Sequence, residues 1–255
     1  EVLLAAYIEW GSSCVGHFNG IFAFAIWDEK EQILFLARDR IGVKPLFYTL
    51  CGSDFIFGSE LKALLAHPSV KPRVDRDGLA EIFIMGPART PGHGVFSGIS
   101  ELKAGHSMIF SRKGLDVQQY WTLKSMPHLD DFDTTVHRVR ELLEDTVRRQ
   151  LVADVPVCTL LSGGLDSSAL TALACRTYQR EGLGQVHTYS VDYLDNDRYF
   201  KANSFQPNAD ASWVRRVSDF LGTIHHEIIL DTPDLAGSLP HATISRDLPG
   251  MADVD

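Results

Sequence analysis

The sequence predicts two architectures in succession: an α+β, β-rich half over residues 1–124, then an α/β half with a parallel, doubly wound sheet over residues 134–255. Three observations carry this. Aromatic and aliphatic runs separated by turn formers crowd residues 18–60. After residue 134, short apolar runs alternate with amphipathic helical patterns, the order of a parallel sheet with right-handed crossovers. Between the halves, residues 125–133 are polar, acidic and without periodicity, and read as a linker.

The first ten residues form an amphipathic helical pattern with Val2, Leu3, Ala6 and Trp10 on one side. Ser12-Ser13-Cys14-Val15 follows as a loop. Residues 20–27, 33–37, 46–48 and 55–57 read as strands, parted by turn chemistry at Asp28-Glu29-Lys30, at Gly42 with Pro45, and at Gly52-Ser53-Asp54. Their near-continuous apolar character predicts a sheet covered on both faces. Helices are expected at 60–66 and 77–84, and a last hairpin around Arg112-Lys113-Gly114 joins strands at 106–110 and 115–121.

Thr134 or Thr135 is placed to cap the next helix, whose apolar face is Val136, Val139, Leu142, Leu143, Thr146 and Val147. The order then runs strand 155–161, helix 167–180, strand 186–191, helix 210–221, strand 225–230. Asp210 is a candidate cap, with Trp213, Val217, Phe220 and Leu221 at core-packing spacing. His225, His226 and Glu227 are read as strand residues rather than a metal site, because neighbours on a strand face opposite ways.

Composition narrows the function classes. A net charge of −9 over 255 residues argues against a nucleic-acid partner, since phosphate backbones select basic faces. The four cysteines, Cys14, Cys51, Cys158 and Cys175, lie far apart with no C-x-x-C pair, which favours free thiols in a reducing cytoplasm over a disulfide frame or zinc site. No apolar run approaches the roughly 20 residues of a membrane span.

The chemistry concentrates between strand 155–161 and helix 167–180, at Ser162-Gly163-Gly164-Leu165-Asp166-Ser167-Ser168. Two glycines allow positive φ and close approach of a ligand. The first N–H groups of the following helix lack internal partners and carry partial positive charge, and three serine hydroxyls surround the same point. Such a loop cradles phosphate. Asp166 among these donors makes sense when a divalent cation, Mg²⁺, bridges carboxylate and phosphate. The G-x-x-x-x-G-K-[ST] spacing and its lysine are absent, which excludes the ordinary mononucleotide P-loop. Ligands of parallel sheets bind at the strands' carboxyl ends, where Leu160 and Val191 could flank a flat base.

Residues 162–168 resemble the pyrophosphate-binding loop of the ATP pyrophosphatases. Leu160-Leu161, Thr188-Tyr189-Ser190-Val191, and Asp210 ahead of Gly222-Thr223-Ile224-His225-His226-Glu227 are similar to glutamine-hydrolysing asparagine synthetase. Residues 38–48 and 58–64 resemble its class II amidotransferase domain, which has the N-terminal-nucleophile fold. The resemblance implies ATP contacts at Leu160, Ser162, Gly163, Gly164, Leu165, Asp166, Ser167, Ser168 and Val191, with Leu160 and Val191 at adenine and Asp166 at Mg²⁺. It implies aspartate, glutamine and ATP as substrates, β-aspartyl-AMP and pyrophosphate as intermediate and product, a cytoplasmic enzyme, and a homodimer as an assembly to test.

No catalytic residue is assigned. The Arg38-Asp39-Arg40 run beside Gly42 and Pro45 reads as a structural ion pair and corner. The family's glutaminase nucleophile is an N-terminal Cys whose α-amine acts as base, and Cys14 has no free amine. A β-lactam synthetase or a non-catalytic nucleotide-binding remnant would keep the same loop. A tRNA-modifying pyrophosphatase would show paired cysteines and a basic face. Residue 1 opens inside a helical pattern and residue 255 closes before another element, so the chain reads as an internal piece of a longer enzyme. The family's second acidic Ser-Gly-Glu-Gly-x-Asp-Glu segment and its phosphate-contacting lysine do not occur in it. The isolated 255-residue chain is therefore expected not to turn over, and aspartate-dependent pyrophosphate release by it would overturn that expectation.

Overall fold

The computed structural model describes residues 1–85, 88–204 and 208–249. They form two compact units, residues 1–126 with 240–249, and residues 127–239. The first unit begins with α1 (Val2–Trp10) and a 3-10 turn (Gly11–His17). Then come β1 (Ala23–Asp28), β2 (Ile33–Arg38), β3 (Phe47–Cys51), β4 (Asp54–Gly58), α2 (Leu61–Leu65), α3 (Arg76–Ile84), β5 (Ser100–Glu101), β6 (His106–Ser111) and β7 (Gly114–Gln119). The strands make two antiparallel sheets, in the orders β1-β2-β6-β7 and β4-β3-β5.

Alternation along β1 and β2 explains the layering. Phe24, Ile26, Phe35 and Ala37 face α1 and the 3-10 turn, packing on Ala6, Tyr7, Cys14 and Val15. Ala23, Ala25, Leu34 and Leu36 point the other way, onto Leu46, Tyr48 and Phe55 of the second sheet's side. That sheet's outer face packs Phe47 and Ile56 on Leu61 and Leu64 of α2. The four-stranded sheet is thus covered on both faces, as its continuous apolar strands predict. The side of α1 differs from expectation. Leu3, Ala6 and Tyr7 pack inward, whereas Val2 and Trp10 stay exposed, because the helix addresses the sheet through Phe35. The segment around Cys14 is helical rather than a plain loop, and Cys14 is fully buried.

Residues 38–44 do form a structural corner. The buried Arg38 guanidinium donates to the carbonyls of Lys44 at 2.7 Å, Leu102 at 2.7 Å and Gly42 at 2.8 Å, and pairs with buried Glu101 at 3.1 Å. Asp39, equally buried, accepts from the Val43 and Lys44 amides at 2.9 and 3.0 Å. The Tyr120 hydroxyl closes the corner by donating to the Arg38 carbonyl at 2.6 Å.

The second unit holds α4 (Phe132–Gln150), β8 (Cys158–Leu160), α5 (Leu165–Glu181), β9 (His187–Tyr193), α6 (Asn196–Tyr199), α7 (Asp210–Leu221) and β10 (Ile224–Leu230). The last helix, α8 (Thr232–Arg246), runs from this unit into residues 240–249 of the first. The three strands form a parallel sheet in the order β10-β9-β8, as the alternation predicts. Two caps are corrected. Asp131, not Thr134 or Thr135, caps α4 by accepting from the Thr134 amide at 2.8 Å, so the helix begins inside the stretch read as linker. Ala209, not Asp210, is the N-cap of α7, with no side-chain cap bond.

The helix-facing side of this sheet is polar. Thr159 bonds Thr171 of α5 at 3.0 Å. His225 bonds Thr188 at 2.9 Å and Ser190 at 3.0 Å, and Thr223 links Thr188 to Ser218 of α7. The opposite side carries Leu160, Val191, Ile228 and a ring column in which His226 stacks on His187 and Tyr189 at 5.2 and 4.6 Å. His225 and His226 thus face opposite ways, and the described residues contain no cluster of three or more His, Cys, Asp or Glu placed to hold a metal. No helix among them is long and apolar enough to cross a membrane.

Two measurements check the first unit. Arg38→Met leaves Glu101 and three carbonyls without their buried donor, and urea unfolding is expected to show a loss of about 3–5 kcal/mol. Burial, helped by the bond to Asp28 at Tyr7 and by the Asp39 charge at Tyr120, pushes both phenols from 10.0 up to about 12. Unfolded, they ionise near 10, so their contribution to stability is complete below pH 10 and lost as pH rises through about 12. An absorbance titration of the folded protein should find Tyr7 and Tyr120 still protonated at pH 10 and ionising only as pH approaches about 12.

Candidate nucleotide-phosphate site

The seven-residue loop lies where β8 hands over to α5, at the carboxyl end of the strand. Leu161 is still tied to the sheet, its amide donating to the Tyr189 carbonyl at 2.8 Å. Beyond it the chain turns. Gly163 takes φ +77°, and Gly164 is the N-cap of α5 with no side-chain bond, so the helix's first-turn N–H groups stay open to a ligand. Leu165, Asp166, Ser167 and Ser168 form that first turn, with Leu165 and Asp166 exposed.

The hydroxyls divide into two kinds. Ser162 and Ser167 bond each other at 3.0 Å, and Ser162 also receives the Gly164 amide at 3.4 Å, while Ser167 receives the Ser162 amide at 3.3 Å. They hold the loop in shape. Ser168 Oγ is buried and has no hydrogen-bond partner among the described residues.

Gly163 has a second constraint. A Cβ there would lie 2.8 Å from Trp213 Cβ, 3.0 Å from the Val214 amide nitrogen and 3.2 Å from the Asp210 carbonyl oxygen. The first turn of α7 therefore presses directly on the loop. This contact was not legible in the sequence, where Trp213 and Phe220 read as core. Both are exposed, 44% and 87%, and the buried stripe of α7 is Val214 and Ser218. The helix is rotated because its inner face meets hydroxyls of the sheet rather than an apolar surface.

Leu160 and Val191 do share a face. Leu160 pairs with Tyr189, and Val191 sits two residues further along the same strand and side. Leu160, which ends the edge strand β8, is 69% exposed beside the loop, whereas Val191 is half-buried. An apolar surface beside a phosphate cradle suits a purine base. For Mg²⁺, Asp166 is the carboxylate of the loop, and phosphate oxygens would have to complete the coordination. In the first unit, Cys14 is no nucleophile. Burial in the core raises its thiol pKa, the reverse of what activation requires.

Residues 1–121 match the glutamine amidotransferase domain model, and residues 138–255 match the asparagine synthase model. The two matches follow one another along the chain. The glutamine-hydrolysing asparagine synthetase 3 of Bacillus subtilis (strain 168) is 57% identical over 255 residues, all of this chain and 42% of that protein. A putative asparagine synthetase of Methanocaldococcus jannaschii is 32% identical over 89% of this chain and 42% of its own length. Asparagine synthetase B of Escherichia coli (strain K12) is 28% identical over 100% of this chain and 38% of its own. The chain thus spans under half the length of these curated relatives. Residues 162–168 lie within the stretch that matches the asparagine synthase model, and Arg38 within the stretch that matches the amidotransferase model.

Replacing Gly163 by Ala is expected to cost the second unit about 1–3 kcal/mol in backbone strain alone. The new methyl also collides with Trp213, so hydrogen exchange should rise in both the first turn of α5 and the first turn of α7. Exchange changes confined to α5 would show that the loop and α7 are not coupled.

Proposed function

We propose that the chain is part of a glutamine-dependent asparagine synthetase. The observation that carries this is the Gly163-centred loop, which leaves the first-turn N–H groups of α5 uncapped beside exposed Leu160. The match to the asparagine synthase model over that loop supports the reading. On it, ATP binds with adenine against Leu160 and Val191 and its phosphates against Ser162, Gly163, Gly164, Leu165, Asp166, Ser167 and Ser168. The aspartate side-chain carboxylate attacks the α-phosphorus, β-aspartyl-AMP forms and pyrophosphate leaves. Ammonia from glutamine then displaces AMP to give asparagine.

This chain's residues have a defined task in that sequence. Loop N–H groups and serine hydroxyls meet the charge that grows on the departing pyrophosphate, where preorganised donors act most strongly. Mg²⁺, held partly by Asp166, would neutralise the same charge. On this reading the chain divides into an N-terminal-nucleophile amidotransferase domain over 1–124, a linker over 125–133 and a parallel, doubly wound ATP-pyrophosphatase domain over 134–255. The nucleophilic Cys of such an amidotransferase domain is not among these 255 residues. Aspartate, glutamine and ATP are the substrates, the compartment is the cytoplasm, and a homodimer is the assembly to test.

Isothermal titration of the 255-residue chain with ATP is expected to show binding that requires Mg²⁺. Asp166→Ala should reduce the Mg²⁺-dependent part at least ten-fold while leaving the fold intact, since Asp166 is exposed. Equal binding by the two chains, with or without Mg²⁺, would overturn the assignment of Asp166.

A further inference from the structure

The phosphate loop lacks the lysine of a P-loop, yet the structure carries a cation close by. Trp213 is pressed against Gly163, and the Arg216 guanidinium lies over its ring, 5.6 Å from the centroid. Helical side chains lean toward their own N-terminus, so Arg216 reaches back one turn along α7, toward the end that abuts the loop. Arg216 is exposed and has no carboxylate in ion-pair distance among the described residues, whereas its neighbour Arg215 pairs with Glu227 at 3.9 Å. Trp213 is itself unusual, a large ring left 44% exposed on a helix whose buried stripe lies elsewhere.

We propose that Arg216, parked on the Trp213 ring, is a further phosphate-binding residue of this site and neutralises charge on the β- and γ-phosphates or on pyrophosphate. The proposal rests on the reading of residues 162–168 as the phosphate loop. A ring face holds a guanidinium weakly, by about 0.5–1 kcal/mol at an exposed site, so the cation can transfer to a phosphate, a stronger partner. Trp213 then acts as a positioning residue. Its contact with Gly163 sets where the guanidinium waits. The planar fork suits two phosphate oxygens at once, as a lysine does not. Arg215 stands on the adjacent helical position, engaged with Glu227, and supplies the control.

Trp213 is the only tryptophan of residues 127–239, so its emission reports on this ring among Trp10, Trp27, Trp121 and Trp213. The test compares wild type, Arg216→Gln and Arg215→Gln, titrated with pyrophosphate, ATP and AMP in the presence of Mg²⁺. Arg216→Gln should weaken pyrophosphate and ATP about ten-fold and leave AMP unchanged, while Arg215→Gln changes none. Wild-type emission should shift on adding pyrophosphate, as the guanidinium leaves the ring, and the shift should vanish in Arg216→Gln and in Trp213→Phe. Wild-type binding with no loss in Arg216→Gln overturns the role of Arg216 and leaves the phosphate loop standing. No binding of pyrophosphate or ATP by wild type overturns both. Circular dichroism of each variant separates lost binding from lost fold.

Discussion

The constraint on which the second unit turns is a missing atom. At Gly163 the backbone of the loop and the backbone of α7 come so near that no side chain fits between them. Two elements far apart in sequence therefore share one position. A loop that turned freely would present its amides as an ensemble; this one is braced from behind by a helix. The positive φ at Gly163 and the absence of a Cβ are separate demands met by the same residue, and only glycine satisfies both.

The first unit is organised on another principle. Its sheets stack through apolar alternation, but the corner where β2 leaves the sheet is fixed by Arg38, whose donors are spread over Gly42, Lys44, Leu102 and Glu101. One side chain binds a turn, a distant connecting segment and a short strand. The guanidinium's rigid fork permits this, since its N–H groups are set at fixed angles and cannot slip to water once buried.

Much of this was legible in the sequence, for reasons that can be named. The β2 run Ile33–Arg38 and the parallel strands around Leu160 and Val191 appear as β-branched and aliphatic runs with turn formers on either side, and such patterns depend on local chemistry. The loop was legible because it sets two glycines, three serines and an aspartate at close, fixed spacing between a strand and a helix. The orientation of α7 was not, because Trp213 and Phe220 obey helical spacing as well as Val214 and Ser218 do. What decides between the two faces is the polar layer of Thr188, Thr223 and His225, which gains its meaning only when strands and helices are assembled. Strand β5, two residues long, leaves no periodicity to read. The Ala209 and Asp131 caps differ from expectation by a residue or a few, the scale on which helix ends compete for start positions.

The bond between Ser162 and Ser167 has a further consequence. These hydroxyls already satisfy one another and the loop's own amides. An anion that engages them must first break those bonds, so the hydrogen bonds gained are largely exchanged for hydrogen bonds lost. What is left as net attraction is charge, first of all the partial positive charge of the helix end. Charge is screened by dissolved ions over about 8–10 Å near physiological strength, whereas exchanged hydrogen bonds are indifferent to them. An exposed loop built this way is tuned by ionic strength.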